Sequence, residues 1–307
     1  MQLSVVSTLY KSEPFLDTFL EELQLAIRNL SITEYEIIFV NDGSPDNSLK
    51  HLIAKKSEMP NLVLVDLSRN FGHHYAIQAG LEQAKGKYIF LIDNDLEVSP
   101  KVLENFYSHM QASPELDVVY GYQEDRKGGF VESFSGRIFW KVINYISEVK
   151  IPPNIVTERL MTQNYVRGLL SLGDANLFLG GMMSWIGFRQ EGIPVVKSLR
   201  KGQSTYSFKM RMQLMIQAVT SFSGKPLELL FYFGLSVSFL SFLTLIYLAI
   251  IKIVYSEAIQ VGWTSIIAIN VMVLGIVSTF LGLIGIYIFK IFRQVQGRPN
   301  YIIKKIL

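Results

Sequence analysis

Residues 88–97 read YIFLIDNDLE. Five apolar residues, Tyr88 to Ile92, run without polar alternation into two carboxylates, Asp93 and Asp95, spaced i and i+2. A short unbroken apolar run is the pattern of a strand covered on both faces, as in a parallel sheet. Three runs of the same kind precede it: LSVVSTL (3–9), YEIIFVN (35–41) and LVLVDL (62–67). A fifth, DVVYGY (117–122), follows. Helix-like stretches lie between them. Residues 14–30, opened by Pro14, space Phe15, Phe19, Leu23 and Ile27 along one face. NDGSPDNS (41–48) is turn chemistry with a helix N-cap. Residues 73–85 and a stretch from Pro100 read as further helices. The alternation predicts an α/β fold, a mostly parallel sheet with helices on both faces.

Ligands of such sheets bind outside the carboxyl ends of the strands. The candidate positions are therefore Asn41-Asp42-Gly43-Ser44, Ser68-Arg69-Asn70 and Asp93-Asn94-Asp95. Two carboxylates at i and i+2 on an irregular turn can converge on one hard cation, Mg²⁺ or Mn²⁺, which keeps diphosphate oxygens in its shell. Glu97 is placed to supply a third oxygen. The competing reading is a pair of solvated turn aspartates; Asp42 at a neighbouring strand end favours the first. No glycine-rich dinucleotide motif follows the first strand, where STLYKSEP stands, and no P-loop motif is present.

Composition narrows the class. Among 307 residues there are 29 Lys+Arg and 26 Asp+Glu, a net charge of +3, with 18% charged and 50% hydrophobic. Soluble domains average about 25% charged residues, so neither a disordered chain nor a simple soluble enzyme fits. The near-neutral balance argues against nucleic-acid binding. The absence of Cys excludes disulfides, thiolate metal sites and cysteine nucleophiles. The apolar excess sits at one end. Leu229 to Ile251 and Ala258 to Phe289 carry no charge, and about 20 residues span a bilayer core. Transmembrane helices are expected near 229–252 and 261–289. Lys225 precedes the first, and Lys290, Arg293, Arg298, Lys304 and Lys305 follow the second, so both termini are expected in the cytoplasm. The start, MQLSVVSTLY, has no cationic region before its apolar stretch, so no signal peptide is expected. The division is a globular part, 1–224, and a membrane anchor with a short basic tail, 225–307. Within the first, 135–149 and 206–222 are amphipathic and suited to the bilayer interface or to core packing.

The order VNDGSPDNS (40–48), LSRNFGHHYAIQAGLEQAKGKYIFLIDNDLEVSP (67–100), SFSGRIFW (133–140), RLMTQ (159–163), WIGF (185–188) and RKGQSTYS (200–207), then two apolar spans and GRPNYII (297–303), resembles the family 2 glycosyltransferases. Within them it resembles the subgroup of dolichyl-phosphate-mannose-synthase-like and bactoprenol glucosyltransferase enzymes. The resemblance implies a GT-A (Rossmann-like) fold and a cytoplasmic-membrane enzyme of cell-envelope polysaccharide assembly. It implies that Asp42 and Arg69 contact the nucleotide sugar, and that Asp93 and Asp95 bind the metal and the diphosphate. Glu97 stands where relatives carry Gln, and Asn41 where they carry Asp. Relatives read GDFRLM where this chain reads VTERLM: Arg159 matches, and Thr157 replaces an acid. Relatives read GxSKYS, and Thr205 replaces that Lys, while Arg200, Ser204 and Tyr206 persist. His73 and His74 are expected near the nucleotide, and Trp185 in packing near the acceptor. Some relatives are tetramers, so a homo-oligomer is among the partners implied.

The reaction implied is displacement at an anomeric carbon with a nucleoside diphosphate leaving, a single step that inverts the centre. A phosphate acceptor, largely dianionic at pH 7, needs cations rather than a base; Arg126, Arg137, Arg159 and Arg200 are the candidates. A hydroxyl acceptor needs a general base, for which Asp174 or Glu158 could serve. Three readings result: a metal-dependent inverting transferase acting on polyprenyl phosphate, a transferase acting on a hydroxyl of a lipid-linked saccharide, and a non-catalytic sugar-nucleotide-binding membrane subunit.

Overall fold

A computed structural model of the chain describes residues 1–124, 152, 154–197, 225–254 and 263–307. The segments 135–149 and 206–222 lie outside these residues, as do Arg126, Arg137, Arg200, Ser204, Thr205 and Tyr206. Four strands follow the sequence expectation closely: β1 (Leu3–Leu9), β2 (Tyr35–Asn41), β3 (Leu62–Leu67) and β4 (Tyr88–Leu91). They alternate with α1 (Leu16–Asn29), α2 (Ser48–Lys55) and α3 (His73–Gln83). Next come α4 (Val102–Ala112), β5 (Val118–Tyr122), β6 (Ile155–Thr162), α5 (Gln163–Ser171), α6 (Leu179–Trp185) and β7 (Gln190–Pro194). Two long helices, α7 (Lys225–Val254) and α8 (Trp263–Val295), precede β8 (Ile303–Ile306).

The strands form one sheet in the order β7-β5-β6-β4-β1-β2-β3-β8. β4, β1, β2 and β3 are parallel neighbours, and β5 pairs in parallel with β7. β6 is antiparallel to both β4 and β5, setting Arg159 opposite Leu91. Strands β4, β5 and β7 therefore end at the same edge, while β6 begins there. The basic tail is not a free extension: its strand β8 adds antiparallel to β3, and Lys304 lies 3.7 Å from Asp66.

Alternate residues of each central strand feed two cores. Val5, Phe39 and Phe90 meet Phe19, Leu23 and Ile27 of α1 and Phe106 of α4 on one face. Val6, Ile38, Ile89 and Leu91 meet Ala76 and Ile77 of α3 and Tyr165 of α5 on the other. Each such side chain contributes about 1.5–3 kcal/mol when buried.

The runs expected to span a bilayer are both helical, 30 residues in α7 and 33 in α8. Among the described residues no helix is long and apolar enough to cross a membrane. Many side chains of α7 and α8 lie outside those residues, so the expectation stands as the sequence left it. The foot of α8 is joined to the globular part. Gln294 accepts from the Ala175 amide at 2.8 Å and donates to the Gly173 carbonyl at 3.1 Å. Asn300 donates to Gln78 of α3 and to the Asp174 carbonyl, each at 2.9 Å.

Helix α3 sits unusually close to the sheet at Gly80, where an added Cβ would lie 2.4 Å from Val6 Cγ1 and 3.0 Å from Val40 Cγ2. Gly80→Ala gains roughly 1 kcal/mol of helix propensity but forces overpacking of about 1–3 kcal/mol. The expected outcome is a lower melting temperature with the helical content retained, measured by circular dichroism.

Candidate active site

The Asp93-Asn94-Asp95 turn takes its shape from Asn94. Its side chain is buried and donates to the Thr8 carbonyl at the end of β1, at 2.9 Å. With Asn94 turned inward, its neighbours project the other way. Leu96 adopts a left-handed conformation, φ 57°, which a branched side chain rarely takes. That bend lets the Glu97 amide donate to Asp95 Oδ1 at 3.0 Å.

A fourth carboxyl joins Asp93, Asp95 and Glu97. Antiparallel pairing of β6 with β4 sets Glu158 one residue beyond the Leu91–Arg159 pair, level with the start of the turn. Glu158 is buried. Burial, and then the charges of Asp93 and Asp95, raise its carboxyl to about 7 against the opposing pull of Lys197. Asp95 is also raised, by burial first and then by the Glu97 and Asp93 charges, despite the Glu97 amide and Lys197. Mutual repulsion marks a site that favours a cation. Among the described residues no three acidic or histidine side chains close into a metal cage. Asp93 and Asp95 instead fit the arrangement usual for Mg²⁺, one or two carboxylates with the remaining shell given to phosphate oxygens and water. Glu97, expected as a third ligand, is paired with the Lys197 ammonium.

His73, the first residue of α3, bridges two strand ends. Its Nε2 lies 3.6 Å from Asp93 Oδ1 and its Nδ1 3.2 Å from Thr8 Oγ1. His74 packs edge-on against Phe178 and is held below its ordinary pKa by burial and by the His73 charge.

Asp42 lies at the end of β2 and is buried. Its two carboxylate oxygens accept from the Phe71 amide at 2.7 Å and the Gly72 amide at 3.0 Å. The carboxylate thus fixes the loop that opens α3, leaving further lone pairs for a ligand. Gly43, at φ +62°, lies where a Cβ would come within 2.6 Å of the Asn70 amide nitrogen, so this position tolerates no side chain. Asn41 donates to Asp66 Oδ1 at 2.7 Å; an aspartate there would oppose a carboxylate with a carboxylate. Asp46 anchors the same loop. Burial works against its charge, but the hydroxyls of Ser44 and Ser48 and the amides of Glu13 and Ser48 bring it to about 2. Arg69 is exposed, donates to the Asn70 carbonyl and lies 4.2 Å over the Phe71 ring.

Two expected site residues sit apart from the carboxylates. Arg159 faces the opposite side of β6 and is buried. Its guanidinium donates to the Thr157 and Val156 carbonyls at 3.1 and 3.2 Å and contacts Met183 Sδ. Asp174 lines a pocket with Gln78, Leu81, Leu169 and Leu177. Burial alone raises its carboxyl, with no charge of the cluster acting on it. Arg200 lies outside the described residues. Trp185 is 58% exposed at the end of α6. The sequence reading passed over Lys197, whose single basic letter carries no motif.

Comparison with known proteins places this geometry. The description "Glycosyl transferase family 2" matches residues 4–168. The chain is 32% identical to the uncharacterized glycosyltransferase YkcC of Bacillus subtilis, covering 99% of this chain and 94% of that one. It is 31% identical to an SfII prophage-derived bactoprenol glucosyl transferase of Shigella flexneri, covering 99% and 98%. The solved mannosyltransferase PcManGT of Pyrobaculum calidifontis, in complex with GDP-Man and Mn²⁺, matches with a TM-score of 0.50 at 14% identity over 96% of this chain and 85% of that one, a likeness of fold. A GT-A sheet with carboxylates past its fourth strand, matched along nearly its whole length, belongs to the family 2 glycosyltransferases, so the chain is an enzyme and not a sugar-binding subunit.

Proposed function

We propose that the protein is a membrane-anchored, metal-dependent, inverting glycosyltransferase that moves a sugar from a nucleoside diphosphate sugar to a polyprenyl phosphate at the cytoplasmic face of the inner membrane. The observation that carries this reading is the gathering of Asp93, Asp95 and Glu158 at one sheet edge, where burial first and then neighbouring carboxylates raise the Asp95 and Glu158 carboxyls. Such a site rejects a diphosphate unless a cation offsets it. Asp93 and Asp95 would hold a divalent ion, Mg²⁺ or Mn²⁺, and once bound it supplies the positive charge that stabilises the departing diphosphate. Asp42 fixes the loop beneath the nucleotide, and Arg69 borders it. Arg159 acts as a positioning residue that ties β6 to α6.

The acceptor assignment draws on the bactoprenol relative and on the anchor. Leu281, Ile288, Phe289 and Ile291 of α8 are each about 60% exposed, an apolar surface suited to lipid. On this reading residues 1–224 are the cytoplasmic catalytic domain, 225–307 the anchor, and the tail from Gly297 returns to the sheet. The hydrogen bonds from Gln294 and Asn300 then set the height of the cleft above the bilayer. A phosphate monoester is largely dianionic at pH 7 and attacks without a base.

Full-length protein in detergent, given labelled sugar nucleotides and a short polyprenyl phosphate, should form a product stable to mild base and labile to mild acid. EDTA should abolish it. Asp93→Asn and Asp95→Asn should each lower kcat/KM by about 10²–10³. Retention of activity within threefold would contradict the proposal.

One observation favours a second reading, transfer to a saccharide hydroxyl: Glu158 is a buried carboxyl beside Asp93 that could accept a proton. Glu158→Gln separates the two. With polyprenyl phosphate the variant should keep activity within a few-fold; with a hydroxyl acceptor it should lose it. The raised pKa also gives a signed effect on stability. The neutral form is favoured in the fold, so its contribution is complete below about pH 4.5 and is lost as pH rises through about 7. Wild-type melting temperature should fall across that window by the equivalent of up to ~3 kcal/mol, and Glu158→Gln should flatten the profile.

A further inference from the structure

β7 runs parallel to β5, so residues just past Pro194 emerge at the same sheet edge as the Asp93 turn. Lys197 is the third of them. Its ammonium is paired with the Glu97 carboxylate, which is 12% exposed against 36% for the lysine side chain. Burial works against the Lys197 charge, but Glu97, then Glu158 and Asp95, more than compensate and hold it above the ordinary lysine pKa. The site thus contains a permanent cation, facing three carboxylates from β6 and the turn.

The substrates of this edge are anions. An ammonium has three donors, and Glu97 takes one. Arg159 lies within electrostatic range of Glu158 and Asp93, but it is buried on the opposite side of β6, where its guanidinium donates to the Thr157 and Val156 carbonyls and contacts Met183. Lys197 is turned the other way, toward the carboxylates.

We infer that Lys197, held in place by Glu97, binds a phosphate oxygen of the substrate, and that Glu97 serves as its anchor rather than as a metal ligand. The inference rests on the transferase reading above. The shared chemistry is a phosphate oxyanion, and its source is either the donor diphosphate or the acceptor monoester. Lys197 couples the end of β7 to the metal-binding turn, so the ammonium is positioned before substrate arrives.

The test uses the full chain in detergent micelles, as wild type, Lys197→Ala, Lys197→Arg and Glu97→Gln. Inhibition constants are measured for UDP, GDP, uridine and guanosine with MnCl₂, and KM is measured for a short polyprenyl phosphate. Loss of one charge-assisted contact predicts a weakening of about tenfold or more. It should appear in UDP or GDP inhibition if the donor is the source, and in acceptor KM if the monoester is. Uridine and guanosine should change less than twofold, and Lys197→Arg should recover most of the loss. The Mn²⁺ concentration for half-maximal rate should move less than threefold in Glu97→Gln. The inference is overturned if Lys197→Ala leaves both arms within twofold in an active background, if Lys197→Arg is as impaired as Lys197→Ala, or if Glu97→Gln raises the Mn²⁺ requirement tenfold. A wild type that transfers nothing from any donor overturns the underlying reading as well. Lys197→Gln replaces Lys197→Ala if the latter loses its melting transition.

Discussion

Like charges held together at the edge of the sheet are the constraint on which the site depends. Hydrogen bonding between β4 and β6 brings Glu158 to the Asp93 turn, and Asn94, tied to Thr8, leaves Asp93 and Asp95 facing outward. Strand pairing keeps these carboxyls close, and burial with the neighbouring charges favours the neutral form of Glu158. The fold therefore stores an unfavourable charge arrangement that Lys197 relieves in part. A divalent ion with a bound diphosphate would relieve the rest, coupling substrate binding to the stability of the turn.

The surrounding structure makes that edge rigid. Asp42 holds the amides of Phe71 and Gly72 and so fixes where α3 begins and where His73 points. The far half of α3 is held by Gln78 to Asn300 and by Glu82 to Tyr301. One helix thus touches the Asp93 turn at its start and the tail that follows α8 along its length. His73, at the start of that helix, contacts Asp93 and Thr8.

Much of this was legible because the central strands are largely apolar runs. β1, β2 and β3 begin and end where their letters predict; a polar residue inside them is tolerated where it finds a partner, as Ser4 of β1 donates to Glu36 of β2 at 2.6 Å. The sheet margins were not legible. In β6, IVTERLMT mixes Thr157, Glu158 and Arg159 with apolar residues, because its first half borders the site rather than the core. In β7, QEGIP has almost no apolar content. β8 takes two lysines because it is an edge strand, so the tail read only as basic. The aspartates could be found from their place after a strand. Lys197 could not, since only β7 pairing brings it to Glu97, 100 positions earlier in the chain. Asp42 was foreseen as a nucleotide contact; the same carboxylate is also the clamp of the α3 loop, a role that depends on amides 29 and 30 residues away.

The most direct measurement is the binding of Mn²⁺ to the full chain, followed by electron paramagnetic resonance with and without a nucleoside diphosphate. Two carboxylates leave most of the coordination shell to the ligand. The account therefore predicts weak Mn²⁺ binding alone and binding at least tenfold tighter with the diphosphate, lost in Asp93→Asn. Equal Mn²⁺ affinity in both conditions, or affinity unchanged by Asp93→Asn, would contradict it.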